Sequence, residues 1–216
     1  MSGRSRGFIP GIVERVFVAG TRIKQVSMFE KEDLKNALQV LRNGGVILYP
    51  TDTVWGLGCD ATNAVAVKRI FTIKQREDSK SMLVLMENPN MLSAYLKEVP
   101  EIAWQLIEVT DKPLTIIYPG AKNLAPNLVA EDGSIGIRIT SETFTEHLIQ
   151  QFRRPVVSTS ANIAGKPTPK NFDEIEAMVL KSVDYVVQYR QGDTAKSQPS
   201  SIIKLGMGGQ IQIIRS

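Results

Sequence analysis

The sequence predicts an α/β domain built on a mixed sheet with flanking helices, and three observations carry that prediction. Strand-sized apolar runs alternate with segments of helical period along most of the chain. The last two runs, Ser201–Leu205 and Ile211–Arg215, are joined by Gly206-Met207-Gly208-Gly209, a hairpin turn that makes the sheet mixed rather than purely parallel. Polar clusters stand where strands end, and open α/β sheets place ligands in loops at the carboxyl ends of their strands.

Taken in order, residues 30–42 put Leu34, Ala37, Leu38 and Leu41 on one helical stripe, with Gly44-Gly45 as the stop. Residues 46–49 form a strand that empties into the Pro/Gly loop Tyr49-Pro-Thr-Asp-Thr-Val-Trp-Gly-Leu-Gly58. Asn63 caps a helix carrying Val67, Ile70, Phe71 and Lys74. Residues 82–86 are a strand, and 90–97 and 101–109 are short helices. Leu114–Tyr118 and Ile135–Ile139 are strands. Ser141 is placed to cap a helix reaching Phe152, and residues 155–158 follow as a strand. Residues 172–181 are helical, and 185–187 precede the closing hairpin.

At 216 residues the chain has the length of one domain with a full core. No apolar run approaches the roughly 20 residues that cross a bilayer. A single cysteine excludes an internal disulfide framework and a multi-cysteine zinc site, and fits a reduced, cytoplasmic setting. Five of the 26 basic residues and one of the 22 acidic ones lie in residues 1–27, which leaves 21 of each beyond. The net charge of +4 therefore belongs to the N-terminal segment, and the neutral body argues against general nucleic-acid affinity. Residues 1–27 read either as a dispensable arm ahead of a domain at 28–216, or as an ordinary arm or strand near residues 13–18.

Three loops at strand or helix ends, Tyr49–Gly58, Lys74-Gln75-Arg76 and Ser158–Asn162, suggest one convergent pocket for an anionic ligand. Lys74-Gln75-Arg76 ends the second helix, with Lys80 close behind. A point charge beside a planar fork suits phosphate oxygens, although cations also complement a helix C-terminus while facing water. Ser158-Thr159-Ser160-Ala161-Asn162 supplies hydroxyl, amide and backbone donors for phosphate or carboxylate, or else is a solvated turn. Arg138 sits among apolar neighbours in a strand and needs a partner if buried, either a ligand carboxylate or a structural acid. No Gly-x-x-x-x-Gly-Lys-Ser/Thr motif is present. Gly56, Gly58 and Ala61 match a dinucleotide fingerprint, but Pro50-Thr51-Asp52-Thr53 intervenes after the strand, which favours a tight Gly-rich turn. Cys59 and His147 are the only residues of their kinds, and nothing in the sequence orients them as a nucleophilic pair.

The 49–58 loop, Lys-Gln-Arg, Gly136-Ile-Arg-Ile and Ser-Thr-Ser-Ala-Asn, in this order, resemble the YrdC/Sua5 family of threonylcarbamoyl-AMP synthases, over about residues 30–215. The resemblance implies a twisted mixed sheet with flanking helices and an open concave cavity, the YrdC/RibB-like fold. It implies condensation of L-threonine, bicarbonate and ATP, with Mg²⁺ accompanying the nucleotide, into threonylcarbamoyl-AMP and pyrophosphate for tRNA threonylcarbamoyladenosine. Carried over by motif, Lys74, Arg76, Ser160 and Asn162 are the catalytic set. Arg76, Lys80, Ser134, Ser160, Thr168 and Arg215 meet ATP, and Thr53, Arg138 and Ser158 meet L-threonine. No protein metal site is implied. The implied partners are the three substrates, downstream threonylcarbamoyl transferase proteins, and tRNA or double-stranded RNA, with no membrane. A YrdC-fold RNA binder without adenylation is the alternative. Glu77, Ser81 and Thr140 stand where the family usually carries proline, which touches loop rigidity rather than the charged groups.

Overall fold

The computed structural model describes residues 28–75, 82–194, 199–206 and 208–216. The arm expected at 1–27 and the cations Arg76 and Lys80 lie outside the described residues. Helix α1 (Met28–Arg42) buries Leu34, Ala37, Leu38 and Leu41, the stripe read from the sequence. Strands β1 (Ile47–Tyr49) and β2 (Gly56–Gly58) form a hairpin. Helix α2 (Ala64–Lys74) starts at Asn63, whose side chain accepts from the N–H groups of Val65 and Ala66. Strand β3 (Leu83–Met86) leads to α3 (Leu92–Tyr95) and α4 (Glu101–Val109). Then come β4 (Leu114–Tyr118), β5 (Ile135–Ile139), α5 (Thr143–Phe152) and β6 (Val156–Ser160). Helix α6 (Ala177–Ser182), β7 (Tyr185–Val186), β8 (Ser201–Leu205) and β9 (Ile211–Arg215) complete the chain.

The nine strands form one mixed sheet in the order β7-β1-β2-β6-β3-β5-β4-β8-β9. Partners in register share a face, and so do residues two apart along a strand. Ser158, Leu83, Gly136, Ile117 and Lys204 therefore make one row across five strands. Val156, Leu85 and Arg138 make the neighbouring row on the same face. This face gathers the polar side chains. The other carries Val84, Ile137, Ile116 and Val157, all buried. Helices α1 and α5 pack on each other.

Three local expectations need correction. Gly56–Gly58 is a strand between β1 and β6, where the sequence reads as loop, because its backbone completes both ladders. Strand β6 runs on through Ser160, so the Ser-x-Asn pair straddles a strand end. Helix α5 is capped by Glu142, whose carboxylate accepts from the Thr145 N–H, and not by Ser141.

The glycines of β2 answer a close approach, not a dinucleotide. A Cβ on Gly58 would lie 2.5 Å from Tyr49 Cε1 and 2.9 Å from the Val157 carbonyl oxygen. On Gly56 it would meet the Ser158 hydroxyl at 3.2 Å. Gly58→Ala should cost about 1–3 kcal/mol, the range for overpacking, and Gly56→Ala distinctly less. Urea denaturation of both variants checks this, and equal midpoints would refute the close-approach account.

Candidate active site

The loop between β1 and β2 folds back over the polar face of the sheet. The Thr51 hydroxyl donates to the Val54 carbonyl at 2.7 Å and accepts from the Thr53 N–H at 3.0 Å. It also lies 3.0 Å from the Thr53 hydroxyl. Because Thr51 has spent its only proton, Thr53 donates in that contact and keeps its lone pairs for another partner. Thr145 on α5 donates to the Pro50 carbonyl at 2.7 Å, which anchors the loop from outside.

This geometry brings Asp52 against Arg138. Arg138 Nη2 lies 2.8 Å from Asp52 Oδ1, and the two side chains are 3% and 5% exposed. Burial pulls the guanidinium below its usual range against the opposing charge of Asp52, and Arg215 pushes the same way as burial. Arg138 Nε and both carboxylate oxygens of Asp52 are buried without a hydrogen bond, and Oδ1 meets Arg138 as an ion pair. Tyr49 donates to the Val157 carbonyl at 3.0 Å. Burial drives its phenol well above the ordinary range, while Ser158 and Arg138 oppose the shift. Tyr49, Asp52, Arg138 and Ser158 thus form one electrostatic cluster, with Thr53 on its loop.

Lys74 is not at a frayed, solvated helix end. It is 3% exposed. Its ammonium donates to the carbonyls of Ser160 and Asn162, the latter at 2.8 Å. Gln75 takes the left-handed conformation, φ 50°, that ends α2 and turns the chain away. The Asn162 amide donates to the carbonyls of Ile163 and Lys166, while its buried Oδ1 has no hydrogen-bond partner. The lysine therefore fixes the Ser160–Asn162 turn from beneath. Trp55 packs on Phe172 at 4.9 Å between ring centroids, and the Ala161 N–H donates to the Trp55 carbonyl. Thr168 lies half-buried in the irregular stretch between these contacts.

Ser134 lines a cavity of about 550 Å³ over β3, β5, β4 and β8. Its N–H and hydroxyl both bond Asp132 Oδ1, and Asp132 Oδ2 accepts from Lys204 at 2.7 Å. Arg215 is on the exposed edge strand β9. Its guanidinium binds the Ser200 carbonyl, and the Ser200 hydroxyl lies 2.8 Å from that of Thr115. The sequence reading did not single out Asp52, Tyr49, Lys204, Asp132 or Ser200. Of these, Tyr49 and Asp52 lay inside a motif that had drawn attention, the loop at 49–58.

Cys59 is buried, with its thiol pushed far up by desolvation, and His147 bonds the Thr143 carbonyl of its own helix at 2.7 Å. Neither is placed as a nucleophile. Among the described residues no helix is long and apolar enough to cross a membrane, and no three His, Cys, Asp or Glu side chains gather as metal ligands. The Lys74 charge and the Ser160 hydroxyl suit the oxygens of a phosphate chain that brings its own Mg²⁺, while the Asn162 amide spends its N–H groups on the Ile163 and Lys166 carbonyls and leaves Oδ1 as an acceptor.

Buried cations and hydroxyls gather around this face, and among the described residues neither Cys59 nor His147 is an activated nucleophile, the equipment of an α/β domain that aligns and polarises anionic small molecules. A family model described as telomere recombination, the Sua5–YciO–YrdC model, matches residues 39–216, and the chain belongs to that family. A threonylcarbamoyl-AMP synthase of Pseudoalteromonas translucida is 33% identical over 187 residues, covering 85% of this chain and 98% of that one. A threonylcarbamoyl-AMP synthase of Stenotrophomonas maltophilia is 33% identical over 170 residues, 77% and 91% of the two chains. Among solved structures, E. coli YciO superposes with a TM-score of 0.74 at 27% identity over 87% of this chain and 89% of its own. P. abyssi Sua5 complexed with L-threonine gives 0.72 at 26% identity over 82% of this chain. The chain spans about half of that protein, 51%. These matches bear out the fold expected from the sequence.

Proposed function

We propose that this protein is a threonylcarbamoyl-AMP synthase, making threonylcarbamoyl-AMP and pyrophosphate from L-threonine, bicarbonate and ATP–Mg²⁺ for tRNA threonylcarbamoyladenosine. The observation that carries the reading is the buried Arg138–Asp52 ion pair, whose Arg138 Nε and Asp52 carboxylate oxygens have no hydrogen bond. Its two signs complement an amino acid: carboxylate toward Arg138 Nε, amine toward Asp52 Oδ2 and the Thr53 lone pairs. The similarity to curated synthases supports the same reaction.

In this reading the threonine amine adds to the carbon of carbon dioxide, or of bicarbonate with loss of water, giving a carbamate. A carbamate oxygen then attacks the α-phosphorus of ATP, and pyrophosphate leaves. Ser160, Asn162 and Lys74, joined by Arg76 and Lys80, hold the phosphates and the charge that develops there, so catalysis is alignment and electrostatic stabilisation. Ser134, Thr168 and Arg215 are assigned to the nucleotide, and Ser158 to threonine. The catalytic unit begins near Met28. The arm at 1–27, which carries the whole net charge, is left for tRNA or partner contact, and the product passes to downstream transferase proteins.

Pyrophosphate should appear only when threonine, bicarbonate and ATP–Mg²⁺ are all present, with threonylcarbamoyl-AMP detected by mass. Release at the same rate without threonine would refute the assignment. A panel of other amino acids in the same assay tests the substrate.

A further inference from the structure

We infer that Asp132, held in place by Lys204, reads the ribose of the bound nucleotide; the inference rests on the nucleotide reading above. The row Ser158, Leu83, Gly136, Ile117, Lys204 crosses five neighbouring strands. Its four steps span roughly 19 Å at about 4.8 Å between strands, comparable to an extended nucleoside triphosphate. Phosphates held at the Lys74–Ser160 end therefore put the nucleoside over Gly136 and Ile117, inside the 550 Å³ cavity. Gly136 leaves that part of the floor flat. Leu83, Ile202 and Ile214 supply apolar surface for a base, and the polar rim is Glu131, Asp132, Ser134 and Lys204.

At that rim Asp132 is fixed more firmly than its exposure requires. Oδ1 takes both bonds from Ser134, and Oδ2 takes the Lys204 ammonium. A carboxylate has about four acceptor positions, so these three bonds leave one for a hydroxyl donor. The Asp132 and Lys204 side chains are 52% and 40% exposed. Exposed ion pairs add little to stability, so folding gains little from holding the carboxylate here. The bonds from Lys204 and Ser134 lower its pKa to about 2, which keeps it an acceptor for sugar hydroxyls at any working pH. Together with Glu131 its charge also turns phosphate away from this end, so the nucleotide enters in one orientation.

Calorimetry on the full chain tests this with ATP–Mg²⁺ and 2′,3′-dideoxy-ATP–Mg²⁺. The unaltered protein should bind ATP about tenfold more tightly, the scale of one hydrogen bond to a charged group. Asp132→Asn should lose most of that preference and Lys204→Met part of it, each with an unchanged unfolding midpoint. Equal binding of the two nucleotides by the unaltered protein, or a preference that survives Asp132→Asn, would overturn the inference. The readout separates it from the reaction. Ribose-selective ATP binding without threonine-dependent pyrophosphate sinks the synthase reading alone, and pyrophosphate release without ribose selectivity sinks only the role of Asp132.

Discussion

Arg138→Met should lower turnover by about 10²–10³-fold, the scale for losing a group that stabilises charge in a desolvated site, and should raise the KM for threonine above that for ATP. It should also destabilise the fold by about 3–5 kcal/mol, the penalty for breaking one side of a buried ion pair. The reason is Asp52, which is 5% exposed and would lose the guanidinium 2.8 Å away. Adding Asp52→Asn to Arg138→Met removes the stranded charge and should recover most of the stability. Turnover should stay low, because the donor for the threonine carboxylate is still missing. Urea unfolding and steady-state kinetics on the single and double variants separate the two roles. Recovery of activity along with stability would make Arg138 a structural partner of Asp52 and nothing more.

Lys74→Met should combine a stability loss of about 1–3 kcal/mol, from buried carbonyls left without a donor, with a fall in turnover of about 10²-fold or more. The sequence alone points the other way on stability, since a cation ending a helix is normally worth under about 1 kcal/mol and faces water. Here the ammonium is buried and holds the carbonyls of Ser160 and Asn162. Lys74→Arg should not restore turnover, because a planar fork cannot replace a compact ammonium between two converging carbonyls. Thermal unfolding together with ATP titration checks this. A variant that keeps both its midpoint and its turnover would show that the turn stands without the lysine.

What the sequence could determine by itself was local or motif-bound. The stripe of Leu34, Ala37, Leu38 and Leu41, the Asn63 cap and the strands Leu114–Tyr118 and Ile135–Ile139 all follow from periods of 3.6 and 2 and from capping chemistry. The order of the polar clusters was enough to identify the family. The hairpin strand Gly56–Gly58 was missed because a three-residue strand carries almost no periodicity, and its reason for being glycine is the ring of Tyr49 across the ladder. Only the tertiary structure decided that Arg138 is answered by Asp52, and that Lys74 is buried beneath a turn 86 residues away. It alone set Lys204 against Asp132 at the rim of the cavity. Such pairings depend on strand register and on which polar groups lose their water. Those are properties of segments brought together from distant parts of the chain, and no local pattern records them.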